Sequence, residues 1–329
     1  MNFFLYGYKG KWLVVDCGIG FSDDHFPGVD LLLPDPKFIA QHKKDIVGLV
    51  ATHGHEDHIG AIGYLWKDLQ CPIYATPFTA ELIEDKLMEM DLARRAEVNV
   101  VEKGSTLDLS PFTVKFISIN HSIPEPNMLA ISTKEGTVLH SGDWKFEKDM
   151  LSNPDMDISE LEKIGKKGVL ALVSDSTNIF TPSQKETEAD VANSLVDIFA
   201  AQKGRIFITC FASNVTRMHN IAKAAEANGR QVCLLGRSLW RIDDAARHTG
   251  YLKDIPEFLT EEQAEGIADN QIVYICTGSQ GEPFSSLSKI SSNKSNSRIQ
   301  LTADDVVIFS SRIIPGNEQS IAALQRRLM

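Results

Sequence analysis

Residues 52 to 58 read Thr-His-Gly-His-Glu-Asp-His, so that His53, His55, Asp57 and His58 crowd into one short stretch. Three imidazoles and a carboxylate at this spacing have little use except to hold metal. Imidazole nitrogen suits zinc, and a carboxylate bridges or completes a second ion. The order HxHxDH lets His53 and His55 face one ion while Asp57 and His58 face another. Two further residues stand just past apolar runs, His121 after Val114–Ile119 and Asp143 after Thr137–Leu139. Open α/β sheets place their chemistry beyond the carboxyl ends of buried strands. Alone, His121 would read as a capping or surface histidine; the company of HxHxDH reverses that. Together the six donors suit two ions about 3.5–4 Å apart, able to hold a bridging hydroxide, orient a phosphate and stabilise a leaving oxygen. Asp143 is the natural bridge, and the chemistry is hydrolysis. Among the other candidates, Glu56 points away from the metals. His25, His42, His219 and His248 read as solvated, and His140 as packed or hydrogen-bonded.

These residues need a scaffold of strands and helices. Apolar runs recur at Ile46–Ala51, Val114–Ile119, Thr137–Leu139, Val169–Val173, Ile206–Thr209, Val232–Leu235, Ile272–Cys276 and Val306–Phe309. Runs of this length suit strands buried on both faces. The chain start predicts a hairpin, turning at Lys9-Gly10-Lys11 into the strand Trp12 to Val15. Thr76-Pro77 opens a helix with Leu82, Ile83, Leu87 and Met90 as its stripe. Another helix begins around Gly60. Thr187-Glu-Ala-Asp190 has the form of a capping box, with Val191, Leu195 and Ile198 on one face of the helix that follows. Thr216 starts a further helix with Ile221 and Ala225 facing inward, and Asn228-Gly229 ends it. Alternation of this kind means α/β architecture. Ser285 to Ser297, rich in Ser and Asn, reads as a solvated loop. The best domain boundary lies near Thr181-Pro182-Ser183, dividing the chain into residues 1–180 and 181–329.

Composition narrows the class. The chain has 329 residues, 43% hydrophobic and 23% charged, ordinary for a globular protein. A net charge of −11, from 33 basic and 44 acidic residues, argues against nucleic-acid binding by diffuse basic attraction. Any such substrate needs a local cleft and bound cations. The five cysteines, Cys17, Cys71, Cys210, Cys233 and Cys276, form no CxxC pair and suggest no disulfide framework; Cys210, Cys233 and Cys276, in apolar strand-like runs, read as buried, reduced thiols. No apolar run reaches membrane-spanning length, and the start lacks a basic leader, so a cytoplasmic setting is expected.

HGHEDH, His121 and the Ser-Gly-Asp at 141–143 resemble the ordered motifs of the metallo-β-lactamase superfamily. Val173-Ser-Asp-Ser-Thr-Asn178 is similar to the acidic motif that introduces the β-CASP domain of its nucleic-acid-processing members. Thr209-Cys-Phe-Ala-Ser-Asn214, Gly236-Arg-Ser238, Thr277-Gly-Ser-Gln-Gly-Glu-Pro283 and Ile314-Pro-Gly-Asn-Glu318 follow in order. The set resembles bacterial ribonuclease J from end to end of the chain, and the wording HSIPEPN, ICTGSQGEP and FSSRIIPGNE looks alphaproteobacterial. The resemblance implies an αββα sandwich with an inserted α/β β-CASP domain. It also implies two Zn²⁺ ions per subunit, with Mn²⁺ or Mg²⁺ as alternatives, and a homo-oligomer. The implied activity cleaves RNA internally and also from a 5′-monophosphate end. Asp175 would approach the metals as a third catalytic carboxylate beside Asp57 and Asp143. The turns in the second half, with Ser213, Asn214, Ser279, Gln280 and Glu282, are rich in groups that cradle phosphates, and Arg217 and Arg237 add charge.

In that family a Ser-Gly-His loop and a His-Gly-Glu segment follow the PGNE motif, and the latter's histidine completes the second metal position. This sequence has neither. An incomplete sandwich and a weakened second ion, resting on Asp57, His58 and Asp143, are therefore expected, with low activity. The other readings are a small-molecule hydrolase on the same fold and a catalytically impaired RNA-binding fragment. The SDSTN, FASN and TGSQGEP set argues against the first.

Overall fold

The computed structural model describes residues 1–21, 28–147, 151, 156–180, 187–292 and 298–329. Two compact units divide the chain, Met1–Ser183 and Gln184–Met329. The expected boundary at 181–183, His25 and residues 293–297 of the Ser/Asn-rich stretch lie outside the described residues.

In the first unit the elements run β1 (Phe4–Tyr8), β2 (Lys11–Val15), β3 (Gly20–Phe21), β4 (Leu31–Leu32), α1 (Lys37–Ala40), β5 (Ile46–Val50), α2 (Glu56–Ile59), α3 (Ile62–Leu69), β6 (Ile73–Ala75), α4 (Pro77–Glu89), β7 (Val98–Val100), β8 (Thr106–Leu109), β9 (Phe112–Ser118), β10 (Asn127–Thr133), β11 (Gly136–His140), α5 (Ser159–Lys167) and β12 (Ala171–Val173). They form two five-stranded sheets, ordered β1-β2-β5-β6-β7 and β12-β11-β10-β9-β8. The predicted hairpin is present, β1 pairing antiparallel with β2, and β2, β5, β6 and β7 then run parallel. Inner faces of the two sheets supply one core: Leu13, Val15 and Val50 from the first meet Val114, Phe116, Leu129 and Ile131 from the second. The outer faces are covered by helices. α4 packs on β6 and β7 and against α3, while Leu161 and Ile164 of α5 lie on Ile117, Ile119, Met128 and Ala130. Helix, sheet, sheet and helix thus form four layers.

The second unit contains α6 (Glu188–Ala201), β13 (Ile206–Thr209), α7 (Val215–Ala227), β14 (Gln231–Leu235), α8 (Arg237–His248), β15 (Ile272–Cys276), α9 (Ser286–Ser291), β16 (Val306–Phe309) and α10 (Glu318–Leu328). Its sheet is parallel throughout, ordered β14-β15-β13-β16. Phe207, Cys233, Tyr274 and Cys276 face a core closed by Leu287, Ile290 and Leu324 of α9 and α10. α7 packs on β14 and β15 without joining that core, which puts it on the opposite face. Burial on both sides explains the unbroken apolar runs of β13 and β15.

Several expectations change. The helix expected near Gly60 is present as α3, from Ile62, but a short helix that was not expected, α2, starts at Glu56 inside the motif. Val169, Leu170 and Leu172 are exposed, so the run ending in β12 is an edge strand rather than a doubly buried one. On α6, Leu195 and Phe199 are buried and Ile198 is exposed; the capping box at Thr187 and Asp190 forms as expected. Ser286–Ser291, expected to be loop, is a helix capped by the Ser285 hydroxyl, with Leu287 and Ile290 buried. A serine-rich composition concealed two apolar residues three apart, which are enough to seat a short helix.

Candidate metal centre

The six donors lie at the carboxyl ends of β5, β9 and β11, in the loops and the short helix that follow them. β5 delivers Thr52 and His53, and α2 turns Asp57 and His58 back toward the same point. Asn120 and Lys145, which flank His121 and Asp143, pair across the two loops, the Lys145 N–H donating to the Asn120 carbonyl at 2.7 Å. Glu125 anchors the His121 loop: its carboxylate accepts the Phe78 N–H at the amino end of α4 at 2.8 Å. The Ser141 hydroxyl accepts the Asp175 N–H at 2.8 Å, which ties the Ser-Gly-Asp turn to the loop after β12.

Two overlapping groups result, His53/His55/His121/Asp143 and Asp57/His58/Asp143, the donor atoms of each lying within 4.8 Å of one another. His53 Nε2 is 3.0 Å from His55 Nδ1, and His58 Nε2 is 3.4 Å from Asp143 Oδ1 and 3.5 Å from Asp57 Oδ2. His121 Nε2 is 3.6 Å from Asp143 Oδ2. A tetrahedral ion with bonds of about 2.0–2.1 Å sets its donors roughly 3.3 Å apart. The residues therefore fit metal, and Asp143 offers one oxygen to each group.

Electrostatics agrees. Burial, with the neighbouring imidazoles adding to it, drives His53 and His55 well below the usual histidine range. Burial also lowers His121. Neutral imidazoles keep the lone pair that a metal requires. Burial opposes a charge on His58 as well, but Asp16, Asp143 and Asp57 outweigh it and push that histidine up to about 10. Burial works against ionisation of Asp143, yet His58, His121 and His55 hold its carboxyl down at about 2. The second group thus lies in a field that favours positive charge.

Sequence reasoning missed Asp16. It follows β2, is fully buried, and takes φ +59°, a region that Asp tolerates better than most residues. Its carboxylate accepts the Thr52 N–H (2.7 Å) and hydroxyl (3.0 Å) and lies 2.8 Å from His58 Nδ1. That contact fixes the His58 tautomer so that Nε2 faces the centre. A polar residue at the carboxyl end of an apolar run was the available signal. Gly18 is also required, because a Cβ there would stand 1.7 Å from the Asp57 carbonyl oxygen.

The other singled-out residues are placed as follows. His140 is buried, its Nδ1 2.8 Å from the Tyr6 hydroxyl. Glu56 takes Lys86 at 2.6 Å. His42 packs against Trp12 and Phe38, and His219 lies 3.0 Å from Asp254; neither is merely solvated. Asp175 closes a turn, accepting the Thr177 N–H (2.9 Å) and hydroxyl (2.5 Å). In the second unit, Arg217 is spent on Glu188 (2.8 Å) and on the Ser310 carbonyl and hydroxyl (2.7 Å each). Asn214 caps α7, and Gln280 takes the Ile314 N–H at 2.8 Å and donates to the Arg312 carbonyl at 2.8 Å. Glu282 accepts the Gln280 N–H at 3.0 Å. Ser213 is half-buried, Ser279 buried, and Arg237 exposed at the start of α8.

Residues 2–190 match the profile of the metallo-β-lactamase superfamily, and residues 203–328 that of the ribonuclease J β-CASP domain. Ribonuclease J of Sinorhizobium meliloti is 42% identical over 333 residues, covering 100% of this chain and 59% of that protein. Ribonuclease J of Mycobacterium tuberculosis is 39% identical over 323 residues, covering 97% and 57%. For that of Helicobacter pylori the figures are 36% over 314 residues, 95% and 45%. The chain spans about half the length of these relatives. A crystal structure of a protein of unknown function from Enterococcus faecalis V583 shares the fold, with a TM-score of 0.59 at 16% identity over 83% of this chain and 73% of that one.

Proposed function

Because the chain belongs to the metallo-β-lactamase superfamily and is homologous to ribonuclease J along its length, we propose that it is a metal-dependent ribonuclease. The observation that carries this reading is the pair of donor groups sharing Asp143, found in a chain whose second unit matches the ribonuclease J β-CASP domain. Zinc suits the imidazole-rich first group, and Mn²⁺ or Mg²⁺ could serve the more carboxylate-rich second. Bound there, a metal pair supplies Lewis acidity toward a phosphate and a water of lowered pKa.

The chain's own residues prepare that chemistry. His53, His55 and His121 are kept neutral by burial, and Asp143 is kept ionised by its histidine neighbours. Asp16 holds His58 in one tautomer. Asp175 acts through the Ser141 turn, which sets Asp143, and adds negative charge near His121. Of the residues expected to touch RNA, Arg237 remains the best phosphate contact, since Arg217, Asn214 and Gln280 hold their own unit together.

By likeness to ribonuclease J, the activity comprises internal cleavage and 5′-to-3′ degradation from a 5′-monophosphate, in RNA processing and decay. A cytoplasmic homo-oligomer is the corresponding setting. Among the described residues no helix is long and apolar enough to cross a membrane. The test is incubation of a labelled 5′-monophosphorylated RNA with the metal-loaded protein and with Asp57→Ala. Progressive shortening and internal cuts, both lost in the variant, are expected. Intact RNA alongside metal-dependent hydrolysis of a thioester would replace this reading with that of a small-molecule hydrolase.

A further inference from the structure

We propose that the carboxamide of Asn2 is a further ligand of the second metal position, its oxygen joining the group formed by Asp57, His58 and Asp143. This rests on the metal centre described above and adds a residue that its histidine-rich motifs do not contain.

Two backbone hydrogen bonds fix Asn2 in place. Its N–H donates to the Asp57 carbonyl at 2.8 Å, and its own carbonyl accepts the Gly18 N–H at 2.9 Å. The side chain, half-buried, is thereby directed at the second group. Asn2 Nδ2 lies 2.9 Å from His58 Nε2 and 3.1 Å from Asp57 Oδ2. His58 Nε2 is the ring nitrogen free to bind an ion, since His58 Nδ1 is taken by Asp16 at 2.8 Å. Both separations fall near the roughly 3.3 Å that neighbouring ligands keep around a tetrahedral ion. The amide head therefore stands at ligand-to-ligand spacing from both.

The nitrogen and oxygen of an asparagine amide are nearly the same size, and turning the last torsion exchanges them. With the NH₂ inward, the amide donates to a lone pair of Asp57 Oδ2 and lies 2.9 Å from His58 Nε2, whose lone pair a metal would use. An ion at this position claims those lone pairs, which leaves the NH₂ facing a cation and the oxygen favoured in its place. Turning the amide costs the 3.1 Å bond from Nδ2 to the Asp57 carbonyl, but that carbonyl keeps the Asn2 backbone N–H. An amide oxygen is a hard donor, suited to an ion already held by two carboxylates.

The experiment is titration of the metal-free protein with cobalt(II), followed by calorimetry and by visible absorption, for wild type, Asn2→Ala and Asn2→Asp. Two equivalents should bind to wild type. Asn2→Ala should weaken the second by about 10-fold or more and change its absorption band, with the first unaffected. Asn2→Asp keeps an oxygen at the same reach and should restore the second equivalent. If Asn2 merely tethers Asp57 through its NH₂, the order reverses, because Asn2→Asp then sets an acceptor against two acceptors. That reversal, or a second equivalent indifferent to Asn2→Ala, overturns the proposal. Should Asn2→Ala fail to fold, Asn2→Leu removes the oxygen at similar volume and is judged by the same comparison. Failure of wild type to bind even one equivalent would count against the metal centre itself.

Discussion

Asp16 shows how one buried carboxylate can govern a site it does not enter. It takes the Thr52 N–H and hydroxyl and faces His58 Nδ1, so its charge and its geometry both act through His58. Asp16→Asn keeps the shape and removes the charge. We expect metal affinity at the second position to fall on the order of 10–100-fold, measured by calorimetry, with the first position much less affected. The candidate donors were legible because three imidazoles and a carboxylate within residues 53–58 are hard to explain otherwise. Asp16 was not, since a single aspartate after a strand is commonplace and only the tertiary contact distinguishes it. Burial of Cys210, Cys233 and Cys276 was legible from their apolar runs, and Cys17 and Cys71 prove buried too, so that all five are buried and free. Burial raises the Cys71, Cys210 and Cys233 thiols to about 12, and those of Cys17 and Cys276 upward too. A raised thiol pKa means the protonated, unreactive form persists through neutral pH. Iodoacetamide at pH 8 should therefore add almost no mass to the native protein and five adducts after denaturation, by mass spectrometry.

At the scale of elements, the backbone from Cys17 to Ile19 lies directly on α2. Cys17 N–H donates to the His58 carbonyl at 2.7 Å, and Ile19 N–H to the Glu56 carbonyl at 3.0 Å. Only glycine fits between them at position 18, where a Cβ would overlap the Asp57 carbonyl. Gly18→Ala must push α2 away; a destabilisation of about 1–3 kcal/mol in denaturant titration is expected, with loss of the second metal before the first. Strand positions could be read in advance wherever an apolar run is buried on both faces, as in β13 and β15. Reading failed where composition and packing diverge. α9 hides two core residues in a serine-rich stretch, and β12 carries apolar side chains at an exposed edge. α6 turned out to seat Phe199 rather than Ile198, because its buried face is only two residues wide.

For the whole molecule, both donor groups found among the described residues belong to the first unit, Met1–Ser183. An ion bound only by folded protein stabilises it by RT ln(1 + [L]/Kd), about 2.7 kcal/mol at a hundredfold excess over Kd. Chelation should therefore lower hydrogen-exchange protection in β5, β9 and β11 while leaving β13 to β15 unchanged. Equal loss in both units would show that they unfold as one. The four layers of the first unit were not legible in local patterning, because they depend on sheet pairings that no local pattern specifies. Asp143 carries one last consequence. Its Oδ1 faces His58 and its Oδ2 faces His121, so if an ion occupies each group as proposed, loading of either alters the carboxylate that the other must use. The two binding equilibria of such a centre would be thermodynamically coupled, and the coupling reciprocal: whatever factor the first ion imposes on the second, the second imposes on the first.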